Sequence, residues 1–128
     1  MLLRDTLRIL VVDDMSTSRG ILLQALDALG LTNVSYAEDG KAALRQARQS
    51  LPHLVMSDLY MPQMNGLQLL QQLRVDPLTR TVGFILVSGR SDDEVLTTGQ
   101  KLGMNNFLPK PYSAAELKVS IEAVVGRL

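Results

Sequence analysis

The fold is decided by a stretch near the start of the chain, RILVVDD at residues 8–14. A short apolar run without helical periodicity predicts a buried β-strand, and this one stops at two consecutive carboxylates. Three further apolar runs also stop at a polar side chain: LVMS at 54–57 before Asp58, FILV at 84–87 before Ser88, and NFLP at 106–109 before Lys110. The repetition predicts parallel strands with both faces covered by helices.

Segments with helical periodicity separate the apolar runs, so the predicted order along the chain is strand then helix, five times over. Gly30 is predicted to end the first helix, and the capping box Ser113-x-x-Glu116 is predicted to begin the last. The apolar stripes predicted to face the sheet are Leu22, Ala25, Leu26 and Leu29; Ala43, Leu44, Ala47 and Leu51; Leu69, Leu70 and Leu73; and Leu117, Ile121, Val124 and Leu128.

The fourth predicted helix is the weakest of the five. The pattern Ser91-x-x-Glu94 is a capping box at its start, but Gly99 falls in its interior. An interior glycine costs about 1 kcal/mol relative to alanine. We therefore expect this helix to be mobile.

Two of the strands have features that are typical of sheet edges. Residues 34–38, VSYAE, alternate between apolar and polar, and Pro109 lacks the backbone donor that a central strand needs. With the second and fifth strands at the edges, the predicted order is 2-1-3-4-5. This order defines an α/β fold of the flavodoxin-like type, a doubly wound five-stranded parallel sheet with its site at the carboxyl ends of the first and third strands.

The composition narrows the class of protein. The chain has 128 residues, 13 basic and 13 acidic side chains, and no cysteine. The balanced charge gives no sign of a nucleic-acid partner, and no apolar stretch approaches the roughly 20 residues that a membrane span requires. We therefore expect one cytoplasmic domain over residues 1–128, monomeric, without membrane insertion, disulfides or a second domain.

The polar residues at the strand ends form one chemical set if the strands are parallel. The set is Asp13, Asp14, Asp58, Ser88 and Lys110. Carboxylate oxygens suit Mg²⁺, and a carboxylate such as Asp58 can attack phosphorus as a nucleophile. We expect Lys110 to reach toward the carboxylates, because a lysine after a buried strand needs a partner. Plainer explanations are a helix cap for the aspartate pair, a solvated loop position for Asp58 and a turn serine for Ser88.

Four motifs occur in a fixed order along the chain. They are Asp13-Asp14, Asp58 followed by MPQMNG at 61–66, Ser88-Gly89, and Lys110-Pro111, with AEDG at 37–40 as a further match. Over nearly its whole length the chain therefore resembles the receiver domain of two-component response regulators. It is similar in particular to the single-domain chemotaxis regulators of that family, which lack an output domain.

The resemblance implies a role for each residue of the pocket. Asp58 would accept a phosphoryl group from a phosphohistidine on a sensor histidine kinase, while Ser88 and Lys110 would bind the phosphoryl oxygens. The implied Mg²⁺ ligands are Asp13, Asp14, Asp58 and the backbone carbonyl of Tyr60. The peptide bond between Lys110 and Pro111 would be cis.

The resemblance also implies a switching surface made by the fourth helix, the fifth strand and the fifth helix. Phe107 would move inward on phosphorylation, following Ser88, and the surface would bind a flagellar motor switch protein. The other residues on or near this surface would be Leu96, Gln100, Pro109 and Ser120. Three departures from the common family pattern are Ser88 in place of threonine, Phe107 without the tyrosine hydroxyl, and Tyr60 with Arg90 at the positions that flank the phosphoryl group.

Two alternative functions fit parts of the same pattern. The chain could be a phosphate sink or relay intermediate that returns its phosphoryl group to a histidine-phosphotransfer domain and has no motor target. More remotely, it could be a magnesium phosphohydrolase of the haloacid-dehalogenase type. Such an enzyme needs a second aspartate two residues after the nucleophile, where this chain has Tyr60, and its acidic pair comes last rather than first.

Overall fold

A five-stranded sheet and six helices make up the computed structural model, which describes residues 2–89 and 92–128. The helices are α1 Leu3–Thr6, α2 Ser16–Ala28, α3 Gly40–Ser50, α4 Gly66–Val75, α5 Asp93–Lys101 and α6 Ala114–Val125. The strands are β1 Ile9–Val12, β2 Val34–Ala37, β3 Leu54–Asp58, β4 Gly83–Ser88 and β5 Asn106–Pro109. Within the described ranges, none of the helices is long and apolar enough to cross a bilayer.

The strand order confirms the prediction. All four pairings are parallel, and the order across the sheet is β2-β1-β3-β4-β5. The predicted edge strands, β2 and β5, are therefore the observed ones. The order along the chain reverses direction between β1 and β3, which places a crevice at their carboxyl ends.

Alternation along the strands explains why both faces of the sheet are apolar. In β1, Leu10 and Val12 belong to the cluster that packs against α3 and α4, whereas Ile9 and Val11 belong to the cluster under α2 and α6. Successive strand residues point to opposite faces, so one continuous apolar run supplies both clusters. All four side chains of this strand are buried.

Two sequence-based expectations about helix ends are wrong, and one short helix was not predicted. Leu51 lies beyond α3 in the left-handed conformation, with φ of 47° and 42% exposure, because the residue before Pro52 is excluded from the helical region. Leu128 lies beyond α6, which ends before Gly126 at φ of 99°. The side chain of Leu128 still packs against the apolar cluster under α2 and α6. The short helix α1 was not predicted, and four residues give too little periodicity to detect it.

The start of α5 differs from the predicted capping box. Asp92 caps the helix by accepting a hydrogen bond from the backbone N–H of Val95, whereas Ser91 lies outside the described residues. Gly99 does lie within the helix, but it is buried, and a Cβ there would stand 2.9 Å from Sδ of Met104. The glycine therefore allows close packing of α5 on the following loop, and the mobility of this helix stays a prediction.

Arg74, near the end of α4, joins the two loops that precede β4 and β5. Its guanidinium donates to the backbone oxygens of Arg80, Val82 and Gly103, at 2.8 to 3.2 Å, and to Oδ1 of Asn105 at 3.0 Å. Burial lowers the pKa of Arg74 from its ordinary value, because the charged form loses solvation. These bonds satisfy four oxygen acceptors from two separate loops with a single side chain.

Replacing Arg74 with methionine should destabilise the fold by about 3 kcal/mol, since several acceptors lose a charge-assisted donor together. Urea unfolding measures the change. Arg48→Met is the matched control, because its guanidinium is 59% exposed in an ion pair with Asp76 and such pairs contribute about 0–1 kcal/mol. Equal losses for the two variants would contradict the role of Arg74.

Candidate functional site

Two neighbouring strands bring the acidic residues together. Val12 pairs with Ser57, so the residues that follow them, Asp13 and Asp58, leave the sheet side by side. Together with Asp14 they offer carboxylate oxygens that all lie within 4.8 Å of one another. Asp13 is buried, Asp58 is half-buried and Asp14 is exposed. The predicted convergence of the three carboxylates is therefore present in the structure.

Such crowding is unfavourable unless cations or donors offset it. Two carboxylates about 4 Å apart repel by about 4 kcal/mol at an effective dielectric constant near 20. Asp13 receives part of the compensation locally: Oδ1 accepts from the backbone N–H of Met15 at 3.0 Å, and its carbonyl accepts from Arg19 at 3.0 Å. The bond from Met15 orients the carboxylate, and the bond from Arg19 holds the backbone of Asp13 at the crevice.

Lys110 supplies the positive charge of the pocket. Its Nζ lies 3.2 Å from Oδ1 of Asp58, 3.8 Å from Oδ2 of Asp13 and 2.7 Å from Oγ of Ser18. Its backbone N–H donates to the carbonyl of Ser88 at 2.9 Å, and the bond to Pro111 is cis, as the resemblance implied. Lys110 does reach toward the carboxylates, which is the contact that the sequence predicted.

The remaining predicted residues lie around the same edge. Ser88 ends β4 and is 1% exposed, in the strand beside Asp58. Tyr60 lies two residues beyond Asp58, with 52% of its surface exposed at the rim. Arg90 lies outside the described residues. Ser88 and Tyr60 are thus near the pocket, and their functional roles remain predictions.

The backbone of Asp58 rests directly on the start of α4. A Cβ added to Gly66 would stand 2.4 Å from the carbonyl oxygen of Asp58, and the N–H of Gly66 donates to the carbonyl of Leu59 at 2.8 Å. Asn65 caps this helix in a capping box with Gln68. The Asn65-Gly66 pair therefore both begins α4 and sets the position of Asp58.

Gly66→Ala should destabilise the chain by about 2 kcal/mol and displace Asp58, because the methyl group would overlap a backbone oxygen that cannot rotate away. Thermal unfolding measures the loss, and backbone NMR shifts report on Asp58. Gly20→Ala is the control: it changes a helical glycine in α2 with nothing within 4 Å and should stabilise by about 0.5–1 kcal/mol. A Gly66→Ala protein as stable as wild type would refute the close contact.

Burial raises the pKa of Asp58 above its ordinary value of 3.8; Lys110 opposes this shift and Asp13 adds to it. The carboxylate form is thus less favourable in the folded chain than in the unfolded one. Tyr112 lines a small cavity together with Asp13, Asp58 and Lys110. Burial and the charge of Asp13 raise the pKa of the Tyr112 hydroxyl. Both shifts describe a partly desolvated pocket with an excess of negative charge.

The raised pKa of Asp58 predicts a pH dependence of stability. Proton binding to the folded chain stabilises it below pH 3.8, and this contribution is lost as pH rises through the higher folded value. In chelator, Asp58→Asn should therefore melt a few degrees above wild type at neutral pH, with the gap closing toward acid. Asp14→Asn, at an exposed carboxylate, should shift the melting temperature less. Equal melting curves at neutral pH would count against the crowded pocket.

The oxygens of the cluster are suited to a hard divalent cation. Three carboxylates contribute negative charge, and the exposed position of Asp14 leaves the pocket open to solvent on one side. Such ions prefer oxygen ligands and, in the case of Mg²⁺, retain several waters. The donor set fits a metal ion, which Asp13, Asp14 and Asp58 could hold together.

The predicted switching surface lies on α5, β5 and α6. Phe107 and Leu96 are half-buried, and Gln100 and Pro109 are exposed. Ser120 lies near the surface and not on it, because it is 6% exposed and its oxygens accept from the side chain of Asn106 at 3.2 Å. A cavity of about 370 Å³ between β5 and α6 is lined by Phe107, Val119 and their neighbours.

Sequence reasoning missed three residues that touch the pocket, namely Ser18, Arg19 and Tyr112. Arg19 also stacks over the ring of Tyr36, 4.7 Å from its centre, and so links α2 to the edge strand. For Ser18 and Arg19, the sequence position was the available signal, because residues at the start of the helix that follows Asp14 lie near the same edge of the sheet. Spacing of this kind places a residue near the site but does not give the direction of its side chain.

Residues 9–122 match the family described as the response regulator receiver domain. Among curated proteins, the chain is 37% identical to the probable chemotaxis protein CheY of Rhizobium etli, over 100% of this chain and 99% of that protein. It is 32% identical to chemotaxis protein CheY-3 of Vibrio cholerae, over 99% and 98% of the two chains. Both relatives are therefore aligned essentially from end to end.

Solved structures show the same fold. CheY4 of Vibrio cholerae has a TM-score of 0.86 at 24% identity, over 92% of this chain and 98% of that one. A response regulator from Desulfuromonas acetoxidans has a TM-score of 0.78 at 26% identity, over 91% and 94%. The receiver domain of a histidine kinase from Syntrophus aciditrophicus reaches 0.81 at 28%, over 93% and 90%.

Proposed function

The chain belongs to the family of response regulator receiver domains, and from this premise we propose that it is a phosphoryl-accepting switch in a two-component system that controls chemotaxis. Receiver domains of this kind are signalling switches, so membership gives no support to the phosphohydrolase alternative. The observation that carries the proposal is the Lys110 ammonium 3.2 Å from Asp58, inside a cluster of three carboxylates. The chemotaxis assignment is supported by the names of the two curated relatives.

We propose Mg²⁺ as the cation of this site. Asp13, Asp14 and Asp58 would hold it through carboxylate oxygens, and the backbone carbonyl of Tyr60 would complete the protein ligands. When bound, the ion would offset negative charge on the transferring phosphoryl oxygens. The proposal rests on the hard oxygen donors and on their mutual spacing of less than 4.8 Å.

Asp58 would be the nucleophile. One carboxylate oxygen would form a bond to phosphorus while the phosphorus–nitrogen bond of a phosphohistidine on a sensor histidine kinase breaks, and the imidazole would leave with the bonding electrons. The Lys110 ammonium already lies 3.2 Å from Oδ1 of Asp58. After the transfer it could bind a negatively charged oxygen of the phosphoryl group. Ser88, at the end of the adjacent strand β4, would donate a hydrogen bond from its hydroxyl to another phosphoryl oxygen.

The same transfer would change the partner surface. Movement of the Ser88 side chain toward the phosphoryl group would vacate space behind β4, and Phe107 would repack inward. Since Phe107 carries no hydroxyl, its two positions would differ in packing alone. The surface of Leu96, Gln100, Phe107 and Pro109 would then bind a flagellar motor switch protein in one state and release it in the other.

A small acyl phosphate with Mg²⁺ should add one phosphoryl group to the wild-type chain, because the pocket supplies the nucleophile and the compensating charge. Mass spectrometry under neutral conditions measures the product. Asp58→Asn should accept none, since its amide is not a nucleophile. Asp27→Asn is the matched control, because this exposed aspartate lies near the end of α2 and should leave the yield unchanged.

Two results would overturn the proposal: an unmodified mass for the folded wild-type chain, or equal modification of Asp58→Asn. The partner is tested separately with the phosphorylated chain as bait. Capture of a histidine-phosphotransfer domain and not of a motor switch protein would favour the phosphate-sink alternative over motor control.

A further inference from the structure

Ser18 makes the shortest contact of the Lys110 ammonium. The distance from Nζ to Oγ of Ser18 is 2.7 Å, compared with 3.2 Å to Asp58 and 3.8 Å to Asp13. Ser18 lies in the first turn of α2 and lines a small enclosed cavity of about 10 Å³ together with both carboxylates and Lys110. The hydroxyl is thus part of the wall around the charged groups.

The contact is not a helix cap. Met15 occupies the cap position of α2, and Ser18 is the third helical residue. Its neighbours Ser16 and Thr17 are exposed, whereas Ser18 is half-buried beside the lysine. Ser18 is therefore the hydroxyl of this turn that faces the pocket, and its Oγ accepts a hydrogen bond from the ammonium.

A neutral hydroxyl has a different effect on the ammonium from that of a carboxylate. Lys110 carries three donors and its side chain is only 29% exposed, so each donor needs an acceptor close by. Asp58 already accepts one of these bonds at 3.2 Å, and without Ser18 the freed donor could turn to Asp13, whose Oδ2 lies 3.8 Å away. An ammonium held by those oxygens would compete with a divalent cation for the same negative charge.

We propose that Ser18 is a positioning residue that takes one donor of the Lys110 ammonium, so that the ammonium keeps one hydrogen bond to Asp58 and stays 3.8 Å from Asp13. The other oxygens of the two carboxylates then stay available to the cation, and the ammonium stays beside the phosphoryl acceptor. This inference rests on the proposed function and adds a residue from α2 to its machinery. Ser18 acts through Lys110 and does not itself contact the reacting atoms.

Calorimetric titration with Mg²⁺ tests the inference on the full chain. Ser18→Ala should weaken binding about fivefold, the size expected for the loss of one net hydrogen bond. Ser18→Thr keeps the hydroxyl and should bind within about twofold of wild type. Ser16→Ala removes an exposed hydroxyl from the same turn and should leave binding unchanged.

A second pair of variants shows whether Ser18 acts through the lysine. In a Lys110→Ala background, Ser18→Ala should have no further effect on Mg²⁺ binding, because the competing ammonium is gone. An equal weakening in both backgrounds would overturn the inference, since the effect would then be structural. The same holds if Ser18→Ala binds Mg²⁺ as tightly as wild type.

The Lys110 side-chain nitrogen offers a readout that needs no metal. In the metal-free chain, its ¹⁵N resonance should shift in Ser18→Ala and keep its wild-type position in Ser18→Thr. An unshifted resonance in Ser18→Ala overturns the inference even if phosphorylation proceeds normally. If Ser18→Ala shows the shift but the wild-type chain neither binds Mg²⁺ nor accepts a phosphoryl group, the proposed function is overturned and the contact is established.

Discussion

The parallel pairing of β1 with β3 is the constraint on which the rest of the site depends. It delivers two aspartates to one point of the sheet edge, where their charges repel each other, and strand hydrogen bonds hold them there. Every other feature of the pocket compensates for this placement. Backbone donors orient Asp13, the Lys110 ammonium faces Asp58, and an open side leaves room for a cation.

The compensation comes from segments that are distant in sequence. Lys110 reaches Asp58 across 52 residues and Ser18 across 92 residues. Its backbone is fixed to the end of β4, so the position of the ammonium depends on three strand ends and one helix at once. The pocket consequently forms only when β1, β3, β4, β5 and α2 have come together.

The sequence predicts the sheet and its edge chemistry well, because both follow from local patterns. Apolar runs that end in polar residues locate Asp13, Asp58, Ser88 and Lys110, and the alternation in β2 with Pro109 in β5 is sufficient to order the strands. The order of motifs then indicates the family, and the match over residues 9–122 confirms it.

What the sequence did not predict depends on side-chain direction and on close approach in space. Nothing in the spacing of Ser16, Thr17 and Ser18 tells which hydroxyl faces the pocket. The need for Gly66 beneath Asp58 arises from the fold, because a side chain at this position would overlap the carbonyl oxygen of Asp58. The prediction that Leu51 and Leu128 lie in helices was wrong, because the apolar periodicity continues past the residues at which α3 and α6 end.

The two edges of the sheet differ in their charged groups, and Arg74 lies at the edge opposite the carboxylates. At the carboxyl-terminal edge of the sheet, three carboxylates lie close together beside the Lys110 ammonium. At the amino-terminal edge, the guanidinium of Arg74 joins two loops through neutral oxygens. The acceptors of Arg74 are residues that lie outside the pocket, namely Arg80, Val82, Gly103 and Asn105. If α5 and β5 rearrange as proposed, Arg74 would still hold the loop that precedes β5 through Gly103 and Asn105.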